Sequence, residues 1–346
     1  MRRWVLVAAV IAALVAVPVV RASLPVSAPR VDPAELRDRI LASAGVPYQG
    51  YADTQGSVIL PALPQLGEVT QLFGGGTSMR VWRATADSWR VAVLDPVGER
   101  DTYRGGGSTY TWDFGRNLWT QVVGDLPARL PQASDLLPPD LARRLLSEPS
   151  PGDRLTALPA RRVAGIAAVG LRFTPGDLDT TISWLDVWAD PTTGLPLQVE
   201  LAGVFTSRFL DLSLTAPDPH VLIPDAAASS GFTTTTQNDV TAALNIVTNT
   251  QLPAGLAGRA RLPGQVGGLG VYGTGLSRFV VAPVPGRVGQ RTLDAVRNAG
   301  GTAVPGGFSV RSAVLTVLVV RPARRTYVLA GFASPELLAR AASELR

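Results

Sequence analysis

The sequence of 346 residues contains no cysteine and only one histidine, and both facts narrow its chemistry. Without cysteine there is no disulfide framework, no thiolate metal site and no thiol nucleophile. The single histidine, His220, excludes a metal site built from several histidines. The fold must therefore be stabilised by ordinary packing.

Lysine is absent as well, so every basic side chain is an arginine. The formal net charge is +5, but the arginines are spread among acidic residues and form no basic run. This pattern predicts no nucleic-acid partner and at most a mild attraction to anionic lipid headgroups or an acidic partner. Exclusive use of arginine is typical of a GC-rich genome; the alternative is an arginine surface that recognises phosphate or carboxylate groups.

One long apolar run stands at the N-terminus. Two arginines precede an uncharged run from Trp4 to Val20, and Arg21 closes it. A run of about 17 residues is at the short limit for a spanning helix, so residues 1–22 are interpreted as a signal peptide or a membrane anchor. Arg21 favours a retained anchor because it interrupts the first candidate cleavage site, while the small residues at 26–28 leave cleavage open. The positive flank places the rest of the chain outside the cytoplasm.

Residues 32–224 are predicted to form a first domain, one large sheet with helices inserted. Asp32, Pro33 and Glu35 have the pattern of a helix start: an N-cap, a proline and then an acidic residue. A second helix is predicted between Leu136 and Pro151, where a proline-containing start is followed by leucines at helical spacing.

The strands of this domain follow from alternation. Residues from Trp89 to Val93 and from Tyr110 to Phe114 alternate between two faces, the pattern of strands with one buried face. Asp190 to Gly194 predicts a hairpin turn. Further strands are predicted at 163–173, 181–189 and 195–201.

A small second domain is predicted at 241–346, after an alanine-, serine- and threonine-rich linker at 225–240. Together the two domains predict the α+β class. The predicted elements of the second domain are a strand from Leu276 to Val284, a short helix capped by Thr292, strands from Ala313 to Val320 and Thr326 to Phe332, and a last helix that begins after Ser334.

Two motifs suggest chemistry, and both have a simpler interpretation. Residues 268–273 match G-x-G-x-x-G, but no strand precedes the match and an extended run follows it, so a glycine-rich turn is favoured over a dinucleotide site. His220 lies in a proline-containing segment with no partner that could orient it for catalysis, so a surface position is favoured.

Four aspartates cluster in sequence and suggest paired carboxylates or a calcium site. They lack the alternating oxygen ligands of a calcium loop, so turn formation is favoured and no metal or cofactor is expected. The four are Asp177, Asp179, Asp186 and Asp190.

Six of the seven tryptophans fall in the first domain. They are interpreted as core and cross-strand packing, with a curved sheet around a hydrophobic ligand as the alternative. Under that alternative, strand alternation gives nine ligand-facing candidates, and each has plain core packing as its competing interpretation: Trp89, Val91, Val93, Tyr110, Trp112, Phe114, Leu197, Val199 and Leu201.

Several segments of the first domain resemble the lipoprotein-carrier-like (LolA-like) half-barrel, in the version found in the MucB/RseB regulators of envelope-stress sigma factors. The most specific segment is D-P-T-T-G-L-P-L-Q-V-E, from Asp190 to Glu200, and the resemblance spans about Asp32 to Pro224. Residues 79–95, 99–113 and 161–173 belong to it as well. In the second domain, residues 271–281 and 327–342 are similar to the C-terminal domain of RseB.

The resemblance implies an extracytoplasmic protein whose first domain is an open, curved antiparallel half-barrel closed by helices around an apolar cavity. The second domain is then expected to bind a membrane-bound anti-sigma factor, or another envelope protein, and to shield it from proteolysis. Proteins of this kind are usually soluble in a periplasm, whereas the leader of this chain favours attachment to the membrane.

The function expected from the sequence is therefore regulatory binding without enzymatic activity. A lipid or acyl chain bound by the first domain would shift the domain arrangement that holds the partner. The alternative is a carrier or chaperone that moves lipid or lipoprotein through the cell envelope. A hydrolase is not favoured, because no acid, base or nucleophile constellation is present.

Overall fold

The fold is taken from a computed structural model of the chain. It describes residues 26–56, 75–95, 98–123, 131–225, 230–235, 250–263, 268–312, 314–322 and 325–345. The predicted signal peptide or anchor lies outside these ranges. Within them, no helix combines the length and the apolar character needed to span a bilayer.

The first domain is built on one large, curved and open sheet. Its strands run antiparallel to their neighbours, except that β12 is parallel to β6. Within the described ranges the sheet has twelve strands, in the spatial order β12-β6-β5-β4-β3-β2-β1-β11-β10-β9-β8-β7. The strands are β1 (Tyr48–Gly56), β2 (Thr77–Thr85), β3 (Ser88–Asp95), β4 (Gly98–Gly105), β5 (Ser108–Asp113), β6 (Leu118–Val123), β7 (Arg154–Val163), β8 (Ile166–Thr174), β9 (Leu185–Ala189), β10 (Pro196–Leu201), β11 (Phe205–Ser213) and β12 (Gly231–Thr235).

Two helices, α1 (Pro33–Ala42) and α2 (Pro138–Leu146), cover one face of this sheet. Asp32 caps α1 as predicted, because its carboxylate accepts from the backbone N–H of Ala34 at 2.9 Å. The apolar side chains of both helices pack against the strands in one continuous core. We call this side of the sheet the helix face and the opposite side the outer face.

The second domain has a sheet of six strands within the described ranges, in the order β15-β16-β20-β19-β18-β17, beside a two-stranded hairpin, β13-β14. Its helices α3 (Gly286–Asn298) and α4 (Pro335–Ser343) pack on opposite faces, because alternate residues of β19 join two different cores. The strands are β13 (Gly255–Leu256), β14 (Arg259–Ala260), β15 (Gly270–Tyr272), β16 (Phe279–Val284), β17 (Thr302–Val304), β18 (Gly307–Arg311), β19 (Thr316–Val320) and β20 (Thr326–Gly331).

The predicted α+β class is confirmed, and so is the start of the last helix. The hydroxyl of Ser334 accepts from the N–H of Leu337 at 3.1 Å, as an N-cap does. The predicted cap at Thr292 is wrong: α3 already begins at Gly286, and the Thr292 hydroxyl donates to the carbonyl of Val288, one turn earlier in the same helix.

Several predicted segments differ from the structure in their boundaries; the strands predicted from Leu276 and Ala313, for example, begin at Phe279 and Thr316. The segment at 163–173 contains the turn between β7 and β8, and the segment at 181–189 is a strand only from Leu185 onwards. The predicted linker at 225–240 contains β12, which pairs with the first sheet. The residues at 175–184 leave the first sheet and bond to the second domain, where Thr181 donates to the carbonyl of Phe332 at 2.7 Å.

Candidate functional site

The first domain contains a cavity of about 600 Å³ on the outer face of its sheet. The aromatic floor is formed by strands β4, β5 and β6, with Ala84 of β2 and Ser88 of β3 beside it, and the cover by residues 217–224 and by β12. No charged side chain is among the described residues that line it. Its aromatic and large aliphatic lining comprises Tyr103, Tyr110, Trp119, Leu222, Ile223 and Phe232.

Strand register brings the aromatic floor together. Tyr103 of β4 lies opposite Tyr110 of β5, and Trp112 of β5 lies opposite Trp119 of β6. Directly opposed residues point to the same side of a sheet, so all four side chains reach the outer face. The rings of Trp112 and Trp119 stack at 5.2 Å, and Tyr103 lies 5.6 Å from Trp119.

The ring of Tyr103 also contacts a buried ion pair. The guanidinium of Arg90 lies 4.8 Å from the ring of Trp82 and 5.1 Å from that of Tyr103, in cation–π geometry. Its Nη2 donates to Asp101 at 2.5 Å, and the Tyr103 hydroxyl donates to the same carboxylate at 3.2 Å. The charge of Arg90 is thus satisfied within the wall.

Burial dominates the protonation of this cluster. It raises the pKa of Asp101 to about 6, and the neighbouring Arg90 offsets only part of that rise. Burial also raises the pKa of the Tyr103 hydroxyl, and the Asp101 carboxylate raises it further. The tyrosine therefore stays neutral and serves as a hydrogen-bond donor.

Trp119 supplies an unused polar group in the floor. The residue is only 3% exposed, and its indole N–H has no acceptor among the described residues. A buried donor without a partner costs about 1–3 kcal/mol. The indole N–H of Trp119 is thus a buried, unpartnered donor behind the apolar wall of the cavity.

The nine predicted ligand-facing residues do not converge on this cavity. Six belong to the helix face, and all six are buried or half-buried against the core there: Trp89, Val91, Val93, Leu197, Val199 and Leu201. Tyr110 and Trp112 face outward, Phe114 is 63% exposed, and of the nine only Tyr110 lines the cavity. Ligand contact by these residues stays a prediction.

Register explains this split. Alternation within one strand shows which of its residues share a face. It cannot show which face of another strand lies on the same side of the sheet. Val91 lies opposite Thr102, and Thr102 lies opposite Thr111, so Val91 shares its face with Thr111. The neighbouring Tyr110 must then point the other way. Trp119 and Phe232 were missed for the same reason, since only the pairing of β12 with β6 brings them together.

The simpler interpretations of the motifs are confirmed. Within residues 268–273, Gly268 and Gly273 have positive φ values of 78° and 79°, and the strand β15 lies between them. The next strand after β15 is β16, and no α-helix begins between them that could bind a pyrophosphate at its N-terminus. His220 is exposed in a short 3-10 turn.

The four clustered aspartates divide into two groups. Asp190 forms the predicted turn, accepting from the backbone N–H groups of Thr192 and Thr193 at 3.0 and 2.7 Å. Asp186 accepts two bonds of 2.7 Å from Arg172 on the next strand. Asp177 and Asp179 instead reach the second domain.

We call this contact the interdomain joint, formed by three carboxylates of the first domain and three arginines of the second. Arg259 donates to Asp177 at 2.7 Å and to Asp179 at 3.2 Å. Arg340 of α4 lies 2.9 Å from Asp179. A third pair joins Arg278 to Glu148. The acidic side thus belongs to one domain and the basic side to the other.

Asp177 accepts three hydrogen bonds at the joint, from Asp179, Arg259 and Ser277. Burial by itself raises its pKa, but hydrogen bonds from the Ser277 hydroxyl, the Asp179 backbone and Arg259 outweigh burial, and the net shift of the Asp177 pKa is downward. The negative charge of Asp177 is therefore part of the folded state at neutral pH.

No protein-family model matches the sequence, and no curated protein does. Solved structures do match the fold. A chain of the Pseudomonas aeruginosa MucA/MucB complex is 20% identical and has a TM-score of 0.51, over 90% of this chain and 97% of that one. MucB in its complex with MucA(peri) is also 20% identical, with a TM-score of 0.50 and the same coverage.

A LolA-superfamily protein from Nitrosomonas europaea matches as well, with 7% identity and a TM-score of 0.21, over 87% of this chain and 94% of that one. That score is too low to support an argument. Each of the two MucB matches covers 90% of this chain, which extends over both domains. The chain therefore has the two-domain fold of MucB.

Proposed function

We propose that this chain is an extracytoplasmic regulatory binding protein of the MucB/RseB kind, with a membrane-bound anti-sigma factor or a similar envelope protein as its partner. The observation that carries the proposal is the match of both domains to nearly the full length of MucB in a complex with MucA. A fold shared at 20% identity supports the same type of binding. It does not identify the partner of this chain as MucA.

Binding without catalysis is part of the proposal. Buried charged groups of the first domain have structural partners: Asp101 pairs with Arg90, Asp186 with Arg172, and Arg83 donates to Asp140 at 2.6 Å. Groups held in this way are engaged in contacts within the sheet and, for Arg83, with α2. This supports a protein that works through its surfaces and its cavity.

The proposed location is outside the cytoplasm, with the N-terminal segment as an anchor or as a cleaved signal. Support comes from the sequence, where positive charge precedes the apolar run. An anchored protein would meet a membrane-bound partner by diffusion within the same membrane.

The proposed signal is an apolar group, such as an acyl chain, in the cavity on the outer face. Its volume lies within the range of about 300–1,000 Å³ that is usual for ligand sites, and its lining is mainly apolar. Residues 217–224 cover the cavity and precede the passage of the chain to the second domain. A ligand that moved this cover would change which domain arrangement is populated, and hence the affinity for the partner.

The partner is tested by capture. The full chain is used as bait on detergent-solubilised membranes, and bound proteins are identified by mass spectrometry. We expect recovery of a membrane protein whose cytoplasmic part binds a sigma factor. Asp179→Asn, which weakens the joint, should lower that recovery, while Asp38→Asn, at an exposed carboxylate on α1, should not. Recovery of no membrane protein would refute the proposal.

The ligand is tested separately by native mass spectrometry of the purified protein and by calorimetry with palmitate. We expect bound acyl chains in the unchanged protein. Ile223→Glu, at the cavity cover, should remove them, while Leu178→Glu, on a loop and 93% exposed, should not. Acyl chains that pass rapidly to vesicles would favour a carrier, and equal binding by both variants would remove the cavity from the mechanism.

A further inference from the structure

The segment between the domains contributes a strand, β12, to the edge of the first sheet beside β6. We propose that β12 is exchangeable and that the β6 edge beneath it is a binding site for an extended segment of a partner protein. The identity of that partner rests on the proposed function. The availability of the edge does not, and it is tested without the partner.

The first argument is the direction of the pairing. β12 runs parallel to β6, from Gly231 opposite Leu118 to Thr235 opposite Val122, whereas the other neighbouring strands of this sheet are antiparallel. Parallel pairs are slightly less stable per residue than antiparallel ones. An incoming antiparallel strand would therefore form better-aligned hydrogen bonds on the same edge.

The second argument is that β12 is held mainly through its backbone. Gly231, Phe232, Thr233 and Thr234 are all exposed, and none belongs to a core cluster. The side-chain hydrogen bond described from β12 joins the Thr234 hydroxyl to the Gln121 side chain at 3.5 Å, the limit of such a bond. The apolar contact that release of β12 would break is the one between Phe232 and Trp119.

The third argument is the contrast with the opposite edge of the sheet. There β7 carries Arg154, Arg161 and Arg162, and Pro159 interrupts its pairing with β8 at a register shift. Charges and proline on an edge strand discourage the addition of another strand. The β6 edge carries no charged residue and no proline from Leu118 to Val123, so it has neither of these protections.

The register also specifies the incoming strand. Phe232 lies opposite Trp119 and forms a wall of the cavity, while 57% of its surface stays exposed. A partner strand would place a large apolar residue at this position and small or hydroxyl residues on either side of it. Because β6 and the cavity lining are uncharged, the segment itself should be uncharged. In this type of recognition, backbone bonds give affinity and side-chain pockets give specificity.

A pair of proline variants of the full chain tests the exchange. The N–H of Gly231 donates to the carbonyl of Asn117, so alternation directs the N–H of Thr233 to β6 and that of Thr234 away from it. Thr233→Pro removes a bond to β6 and should release β12. Thr234→Pro is the matched control, since it introduces the same ring without removing a bond to β6.

The probe is a fluorescein-labelled peptide with the sequence of residues 230–236, Ser-Gly-Phe-Thr-Thr-Thr-Thr. Fluorescence polarisation should show binding to the Thr233→Pro protein at least roughly tenfold tighter than to the Thr234→Pro protein. A peptide with alanine in place of phenylalanine should bind roughly tenfold more weakly. Hydrogen exchange should show that β6 loses protection in Thr233→Pro and regains it with the peptide.

Three results would overturn the proposal. Equal peptide binding by the two proline variants would mean that β12 does not occupy the site. Equal binding of the two peptides would mean that the apolar residue opposite Trp119 does not contribute to the affinity. A dimer of the Thr233→Pro protein that the peptide dissociates would mean that the edge serves a second copy of this chain. These measurements do not use the anti-sigma partner. A negative result here would therefore leave the proposed function, which the capture experiment tests, unaffected.

Discussion

The guanidinium of Arg259, on the β13-β14 hairpin, donates to the carboxylate of Asp177 at 2.7 Å, across the boundary between the two domains. The same carboxylate oxygen accepts from the hydroxyl of Ser277 at 2.6 Å. Beside this pair, the N–H of Ser334 donates to the carbonyl of Asp179 at 2.7 Å, which adds a backbone bond to the contact. The second domain is thus fixed to the first by directed bonds as well as by packing.

Asp177→Asn should destabilise the joint. The change keeps the shape of the side chain but removes the charge that two donors of the second domain share. Hydrogen bonds to charged groups contribute about 1.5–3 kcal/mol each, so we expect the free energy of unfolding to fall by about 1–3 kcal/mol. Urea denaturation followed by tryptophan fluorescence measures this.

The control for this change is Asp38→Asn, where the side chain is 74% exposed and pairs with Arg37 at 3.4 Å. We expect an effect within about 0.5 kcal/mol there. The lowered pKa of Asp177 also predicts how this contribution changes with pH. The Asp177 carboxylate stabilises the fold fully above the usual aspartate pKa range, and this stabilisation is lost as the pH falls below that range. The difference between unchanged protein and Asp177→Asn should therefore shrink in acid; a difference that grows in acid would contradict the bonding described.

Asp101 should give the opposite pH dependence. Burial raises its pKa to about 6, so the folded protein keeps this proton to a higher pH than the unfolded chain does. The contribution of this group to stability is present below the usual aspartate pKa and is lost as the pH rises to about 6. As the pH rises from 4 to 6, the free energy of unfolding of Asp101→Asn should therefore increase by roughly 1–3 kcal/mol relative to that of the unchanged protein.

Denaturation curves at several pH values measure that gain, and carbon NMR of the Asp101 carboxyl group locates its titration directly. A difference between the two proteins that stays constant from pH 4 to pH 6 would mean that the Arg90 guanidinium, at 2.5 Å, compensates burial in full.

The sequence pattern was sufficient to predict the elements that depend on hydrogen bonds between near neighbours in the chain. The cap at Asp32, the cap at Ser334 and the turn at Asp190 depend on bonds between residues two or three positions apart, and the sequence predicts all three. The interdomain joint depends on residues that lie far apart in sequence, with 82 positions between Asp177 and Arg259. An aspartate after a Pro-Gly pair looks the same whether or not an arginine of another domain meets it.

The position of the cavity was missed for a related reason, since the resemblance implied a cavity closed by the helices and the cavity lies on the outer face. Its floor required the relative register of three strands, and its cover required knowing that the segment around His220 folds back over the sheet. The aromatic residues are visible in the sequence, but a strand pattern fixes only alternate sides. Long-range pairing decides which sides face each other, and it also placed β12, expected as linker, on the sheet.

Gly194 should be intolerant of a side chain. Its φ is +71°, and a Cβ there would lie 2.5 Å from the carbonyl oxygen of Arg39 on α1. Gly194→Ala therefore adds a collision with backbone to the cost of the left-handed conformation, and we expect a loss of more than about 2 kcal/mol in the free energy of unfolding. Thermal and urea denaturation measure it.

Gly165 provides the matched control for this change. Its φ is +82°, but a Cβ there would have no neighbour within 4 Å. Gly165→Ala should cost only the conformational part, about 1–2 kcal/mol. If both variants lost the same stability, the close contact between the Asp190 turn and α1 would be refuted.

Leu197→Ala separates core packing from ligand contact on the helix face. Leu197 is fully buried, in the core shared by the sheet, α1 and α2. Removing a buried leucine side chain costs about 2–5 kcal/mol, so we expect a large loss in the free energy of unfolding and no change in the acyl chains recovered per folded molecule. Leu210→Ala, at a residue of β11 that is 46% exposed, should change stability by no more than about 0.5 kcal/mol. If Leu197→Ala kept its stability but lost bound acyl chains, the ligand site would lie under the helices, and the helix face would be the lipid-binding surface that alternation suggested.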